Sequence, residues 1–163
     1  MQDQERFARV LTNGLESISL ASSLSSITKT ITNVAREIAR SDGTTFVLRE
    51  EGQCYYVDED AISPLWKGKK FPVEACVSGY AMLNKEIVII PNIYRDSRVP
   101  QDAYLPTFVK SMCMIPIRVE APVGAIGVYW ANHYEPSADE IRVLQIVANA
   151  SAIALENLEL RNA

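Results

Sequence analysis

Two segments near the C-terminal end, Lys110–Val119 and Val123–Asn132, are apolar on both sides of their strands. They flank Glu120-Ala121-Pro122, a turn-like break, and read as the arms of an antiparallel hairpin. Successive side chains of an extended chain point to opposite faces. Along the first arm Cys113, Ile115 and Ile117 therefore oppose Met112 and Met114, and along the second Ile126, Val128 and Trp130 oppose Ala125 and Tyr129. A hairpin with one wet face would alternate apolar with polar residues, so this one needs cover on both faces. Whatever else the chain forms, it must place one layer in front of a sheet and another behind it.

Amphipathic helices supply one such layer. Residues Asp3 to Ser19 put Phe7, Val10, Leu11, Leu15 and Ile18 at helical spacing. Ser22 to Arg40 carries Leu24, Ile27, Ile31, Val34, Ile38 and Ala39 on one stripe and ends in Arg40-Ser41-Asp42-Gly43. After Glu135-Pro136-Ser137 a last helix keeps Ile141, Leu144, Ala148, Ser151, Leu155 and Leu158 in a three-to-four spacing and stops without a cap.

The remaining elements are shorter. Gly43–Arg49 and Gln53–Asp58 are β-rich runs joined by Glu50-Glu51-Gly52, a first hairpin. Glu59–Pro72 loses periodicity and gathers Pro64, Gly68 and three lysines, which predicts a surface loop with Trp66 and Phe71 as unusual members. Cys76–Leu83 is helix-like, Glu86–Ile90 is a β-branched run stopped by Pro91, and Asn92–Phe108 is a long connection with short helical turns at most. The order predicts an α+β fold: a central antiparallel sheet of five to six strands with helices on both faces.

Composition narrows the function. A chain of 163 residues is the size of one domain and can bury a core without disulfides or a structural metal. A formal charge of -4, with Lys67, Lys69 and Lys70 as the tight basic cluster, gives no attraction to a phosphate backbone, so nucleic acid is not an expected partner. No apolar run is long enough to cross a bilayer and Met1–Ser17 is polar and mixed in charge, which predicts a cytoplasmic chain with no membrane association. Cys54, Cys76 and Cys113 are odd in number, far apart and without CxxC spacing, so they read as reduced thiols, not zinc ligands. The lone His133 has no sequence-evident partner, and neither a catalytic centre nor a metal site is expected.

The run Cys76-Val-Ser-Gly-Tyr-Ala-Met-Leu-Asn-Lys-Glu-Ile-Val-Ile-Ile-Pro-Asn-Ile-Tyr-Arg-Asp-Ser-Arg-Val-Pro100 resembles the middle of a GAF domain. Ser111–Ile117, Gly124–Trp130 and Ala154–Asn157 resemble its two core strands and last helix, in the same order and spacing. Asn92 and Ser97 depart from the Asp and Pro found in many relatives. The resemblance implies a GAF/PAS-like, profilin-like architecture, with residues 1–20 as an N-terminal linker or dimerisation helix and 21–163 as the domain with a C-terminal signalling helix. The subgroup it looks most like occurs beside PAS and kinase domains in bacterial sensor histidine kinases. That implies a non-catalytic sensory or regulatory module of a two-component system, any kinase activity lying outside this chain.

In that fold a cavity forms on one sheet face. The expected lining is Tyr56, Trp66, Phe71, Cys76, Tyr80, Tyr94, Asp96, Arg98, Tyr104, Phe108 and Cys113, with filling of the face as plain core as the alternative. Asp96 and Arg98 either orient a polar ligand or form a capped turn and a surface ion pair. Cys76 opens a helix, whose dipole favours thiolate, or is an inert buried thiol.

Bilin-binding relatives carry a Cys-His pair where this chain has Val99-Pro100, so covalent chromophore attachment is not expected, and the ligand, if there is one, stays unassigned. The Asn-Lys-Phe-Asp-Glu run of cyclic-nucleotide-binding relatives is absent too. An enzymatic alternative is a free methionine sulfoxide reductase, but the positions of that group's cysteines fall here near Ser78 and Leu105. A purely structural dimerisation and relay module is the other alternative. The terminal helical stripes are too long for one sheet face, which predicts a parallel homodimer through these helices and coupling to attached domains.

Overall fold

The computed structural model of the chain describes residues 2–162; the outer limits of the domain division, Met1 and Ala163, lie outside them. Six strands are present among these residues: β1 (Gly43–Glu50), β2 (Gln53–Ala61), β3 (Lys70–Pro72), β4 (Val88–Ile90), β5 (Ser111–Ile117) and β6 (Gly124–Trp130). They form one sheet in the order β3-β2-β1-β6-β5-β4, every pair antiparallel. The helices are α1 (Gln2–Leu20), α2 (Leu24–Ala39), α3 (Val77–Asn84), the single turn α4 (Gln101–Tyr104) and α5 (Ala138–Asn162).

Every residue of β5 and β6 is buried. Cys113, Ile115, Ile117, Ile126, Val128 and Trp130, with Phe46 of β1, form one core against α1, α2 and α5. Met112, Met114, Ala125 and Tyr129 point the other way, into a second core with α3 and the long connections. The two-sided cover expected from the hairpin is what the sheet has. Each fully buried large side chain, such as Phe46 or Ile31 at 0 % exposure, contributes roughly 1.5–3 kcal/mol relative to exposure.

The helical layer is fixed at its ends by short polar side chains. Ser23 caps α2: its Oγ accepts from the Ser26 backbone N–H at 3.2 Å, and Ser26 Oγ accepts from the Ser23 N–H at 3.3 Å. The α2 C-terminus closes on Arg40 in the left-handed region (φ 48°). Ser137 and Glu140 repeat the reciprocal arrangement at the start of α5. In α1, Phe7 and Val10 are buried in the helix-side core, so this helix packs on the domain as well as leading into it.

The chain turns from β1 to β2 through Glu51 and Gly52, both at positive φ (49° and 77°), the mirror-image turn whose twist suits a tight hairpin. The segment Glu59–Pro72 is not all loop. β2 runs on to Ala61, and Lys70–Pro72 adds an edge strand with Cys54 opposite Phe71. Three residues ending in proline show no periodicity by themselves; the strand exists because β2 offers it a ladder.

One close approach sets the position of α3. A Cβ on Gly79 would lie 1.7 Å from the Val73 carbonyl oxygen, which is backbone of the 3-10 turn Val73–Ala75 and cannot move aside independently. Gly79→Ala should therefore destabilise the fold by about 2–3 kcal/mol or more despite alanine's better helix propensity. A urea midpoint equal to or above that of the parent would show that α3 does not sit this close to the turn.

Candidate functional site

Strict alternation along β2 would put Cys54, Tyr56, Asp58 and Asp60 on one face. A β-bulge prevents this: Val47 pairs with Tyr56 but Phe46 pairs with Asp58, leaving Val57 as the extra residue. Cys54 and Tyr56 face the second core. Asp58 and Asp60 turn to the helices, where Asp58 accepts from Thr28 Oγ1 at 2.9 Å and Asp60 pairs with Arg36 at 2.7 Å. Glu59 now points to the side of the long loop. Its carboxylate accepts three backbone N–H groups, from Leu65 (2.8 Å), Trp66 (2.9 Å) and Lys67 (2.8 Å).

That clamp places Trp66 over the sheet. Its ring stands 5.6 Å from Tyr56, 4.6 Å from Tyr104 and 5.4 Å from Tyr129, and Tyr56 in turn meets Phe71 edge-on at 5.5 Å. Trp66 Nε1 donates to the Ala103 carbonyl at 3.1 Å, which ties the roof from both sides. The polar tips beneath are matched to one another: Tyr56 Oη with Ser78 Oγ (3.1 Å), Tyr129 Oη with Thr45 Oγ1 (2.9 Å), Tyr104 Oη to Met112 Sδ (3.3 Å). Burial holds all three phenols above their ordinary pKa, so they are neutral. Tyr56, Trp66, Phe71, Cys76, Pro100, Ala103 and Tyr104 leave a cavity of about 10 Å³, room for one water-sized guest.

Of the expected lining, then, Tyr56, Trp66, Phe71, Cys76 and Tyr104 converge. Cys113 does not: it lies on the opposite face of β5, in the helix-side core, where burial pushes its thiol pKa up. Tyr94 is 52 % exposed and Phe108 packs beside Gly43, away from the cavity. Asp96 and Arg98 are turned on each other, Arg98 donating through Nε (2.9 Å), Nη2 (2.6 Å) and its backbone N–H (2.9 Å). The guanidinium holds the Asp96 carboxyl below its usual value and also lies 5.3 Å from the half-buried Tyr80 ring. The pair fastens the long connection onto α3 and points no charge inward.

Thr45, Ser78, Met112 and Tyr129 belong to this interior and were not among the expected lining. For Tyr129 and Met112 part of the signal was available, since alternation set each opposite Trp130 or Cys113 within its own strand, and the β5–β6 register then puts them side by side. Ser78 and Thr45 carried no such mark. A second feature invisible in the sequence is that Cys54 and Cys76 share this core, where Cys76 Sγ lies 3.3 Å from Ser78 Oγ and donates to the Pro72 carbonyl at 3.6 Å.

Among the described residues, no group of three His, Cys, Asp or Glu could hold a metal ion, and His133 is exposed with Nδ1 3.3 Å from the Pro91 carbonyl. A larger open groove, about 460 Å³, lies at the far end between α2, β1 and α5; the Arg118–Glu156 ion pair is part of its wall.

A helical layer behind an antiparallel sheet, with loops roofing an aromatic interior in front, defines an α+β domain. The family profile described as GAF domain matches residues 21–156, and the chain belongs to that family, whose members are sensory and regulatory domains of signalling proteins and generally not catalytic. Solved structures agree on the fold. The GAF domain of an Acinetobacter phosphoenolpyruvate-protein phosphotransferase is 14 % identical, with TM-score 0.81 over 99 % of this chain and 98 % of that one. The chromophore-binding domain of an unusual R. palustris bacteriophytochrome is 14 % identical, TM-score 0.85, over 100 % and 64 %. A free methionine-R-sulfoxide reductase from Neisseria meningitidis, in complex with its substrate, is 12 % identical, TM-score 0.81, over 95 % and 91 %. No curated protein matches the sequence, and no helix among the described residues is long and apolar enough to cross a membrane.

Glu59→Ala should leave three N–H groups without their acceptor and cost about 1–3 kcal/mol. In a Trp130→Phe background the emission of Trp66 should shift to the red as the ring loosens from Tyr104. An unshifted spectrum with unchanged stability would show that Glu59 does not hold the roof.

Proposed function

We propose that this chain is a regulatory module of a bacterial signalling protein, in the cytoplasm, that acts as a homodimer through α1 and α5 and relays a signal to an attached output domain. A sensor histidine kinase with a neighbouring PAS domain is the parent the sequence resemblance favours. The observation that carries this reading is a stripe on α5: Ile146, Ile153 and Leu160 are 43 %, 61 % and 74 % exposed, seven residues apart on one helix. Leu15 of α1 is also exposed at 44 %, and Leu15, Ile18, Ala150 and Ile153 line one shallow groove between the two helices. A seven-residue apolar repeat is the pattern by which one helix packs along a parallel copy of itself.

The chemistry of the interior fits relay better than catalysis. Its hydroxyls are paired with one another or with Met112 and its phenols are neutral, so none of them is poised as a base or nucleophile in an open cleft. The three thiols do not converge, because Cys113 is behind the sheet; this weighs against a sulfoxide reductase working through all three. A movement of the roof would instead reach α5 through the shared strands β5 and β6.

Light scattering across a concentration series tests the relay reading. The parent chain should be a dimer, and Ile146→Glu with Ile153→Glu should return it to a monomer of unchanged helix content. A parent that stays monomeric at millimolar concentration, or a double variant that still dimerises, would sink it.

A small-molecule ligand is the second reading, favoured by the roof itself: residues 92–108 form no strand and only single helical turns. Entry requires displacing Trp66 or Tyr104, so a binder should be aromatic and should raise the melting temperature by a few degrees at saturating concentration. A metabolite library that shifts nothing would leave the relay role without a ligand.

A further inference from the structure

Ile146, Ile153 and Leu160 are one of two heptad series on the outer face of α5. Val143, Ala150 and Asn157 are the other, each three or four positions from its neighbours in the first. At 3.6 residues per turn both series fall within a stripe about 100° wide. The combined spacing is that of a coiled-coil seam, with the Val143 series at a and the Ile146 series at d. Leu144, Val147, Ala148 and Ser151, on the other side of the helix, are buried in the domain, so the seam is the surface left for a second chain. Of its members only Asn157 is polar. It is exposed and lines, with Ile153 and Arg161, the shallow groove between α1 and α5. The borders of the seam carry opposite charges. Glu156, at g, stands on the side of the β5–β6 turn and pairs with Arg118. Arg161, at e, stands on the side of α1 and donates to the Ala21 carbonyl at 3.1 Å.

We propose that Asn157 fixes two copies of α5 side by side, parallel and in register, by an amide-to-amide hydrogen bond across this seam, with Glu156 of each copy facing Arg161 of the other. In a parallel, in-register pair each a residue meets its own counterpart. The Asn157 side-chain carbonyl of one copy then accepts from the side-chain NH2 of the second. Neither amide is left without a partner among the surrounding Ile153 and Leu160 side chains. A slip of one heptad would set Asn157 against Ala150, and antiparallel pairing would set it against a d-position isoleucine or leucine. Each alternative encloses an amide with no hydrogen-bond partner, which costs the full desolvation of that group.

The charged borders favour the same arrangement. Between parallel helices a g residue faces the e residue five positions further along the other chain, and five positions is the separation of Glu156 from Arg161. Antiparallel helices would bring g to g and e to e, so that Glu156 met acid and Arg161 met base. Both side chains keep bonding capacity for a partner. Arg118 engages the Oε1 oxygen of Glu156, and Arg161 spends Nη1 on the Ala21 carbonyl, leaving the other carboxylate oxygen and the rest of the guanidinium fork. The apolar members supply the area of contact, and the amide and the charges select one geometry from those that the apolar members alone would permit.

The seam rests on the homodimer proposed above, and crosslinking separates the two. Ile146→Cys and Leu160→Cys variants of the 163-residue chain are oxidised briefly under native conditions, where Cys54, Cys76 and Cys113 are buried, and the linked peptides are identified by mass spectrometry. Each variant alone should form a covalent dimer, because matching d positions of a parallel pair lie within the roughly 4.4–6.8 Å between Cα atoms that a disulfide spans. The two variants mixed should give 146–146 and 160–160 links and no 146–160 link. Asn157→Val should remain associated, but sedimentation should resolve trimers, or crosslinking slipped dimers, beside the single species of the parent. Arg161→Glu should weaken the dimer about two- to fivefold, and adding Glu156→Arg should restore it. A dimer joined mainly by 146–160 links, a dimer with neither link, an Asn157→Val variant that keeps one register and one size, or a charge exchange that restores nothing would each overturn the inference while leaving the homodimer standing. A monomeric parent would remove both.

Discussion

Water reaches neither face of β5 or β6, and most of the molecule follows from that exclusion. A two-stranded ribbon with isoleucine, valine and tryptophan on one face and methionine and tyrosine on the other cannot be left with either side wet without losing several kcal/mol of burial. The helices α1, α2 and α5 close the first side and α3 with the long connections closes the second. The two cores lie on opposite sides of the same strands, so a change on one side can be felt on the other through the sheet.

The two layers solve different problems. Helices satisfy their own backbone, whereas a roof made of connections must find an acceptor for each buried N–H. Here carboxylates and amides do this work. Glu59 takes three N–H groups at the start of the roof, Asn92 and Asp96 each accept one further along, and Gln101 donates to the Ile93 carbonyl. Acidic residues that look like ordinary surface charge are in fact the internal frame of the loop layer. Their placement also explains why Asp96 and Arg98 point no charge into the interior: their bonding capacity is directed at each other and at the backbone.

The aromatic interior is closed because its polar tips are paired locally. Tyr56 with Ser78, Tyr129 with Thr45 and Tyr104 with Met112 leave nothing unsatisfied that a guest would be needed to satisfy. Exposed apolar surface is found instead on the outer helices, at Leu15, Ile146, Ile153 and Leu160. The molecule thus leaves its unspent hydrophobic surface on the outer helices and keeps its aromatic and thiol side chains shielded on the other face of the sheet.

The sequence by itself determined the layered architecture. Periodicity of two over Ser111–Trp130 and of three to four over the helices is local geometry, and it set the sheet, its two covers and the face of each residue in β5 and β6. It also pointed to aromatics of the interior, since Trp66, Phe71 and Tyr104 stand in otherwise polar connections and Tyr56 in the first hairpin, but gave no way to separate them from Tyr94 and Phe108. What only the tertiary structure decided are the events that join distant segments. The bulge at Val57 turns Asp58 and Asp60 to the helices and frees Glu59 to hold Trp66, yet a bulge arises from how β2 registers on β1. The edge strand at Lys70–Pro72 exists only against β2, where it sets Phe71 opposite Cys54, and Cys54 and Cys76 share the core on that face while Cys113, equally apolar in its surroundings, is carried to the far side of the sheet. Alternation assigns a face within one strand; which side chain waits across the gap is fixed by pairing between strands, and that is a property of the folded chain.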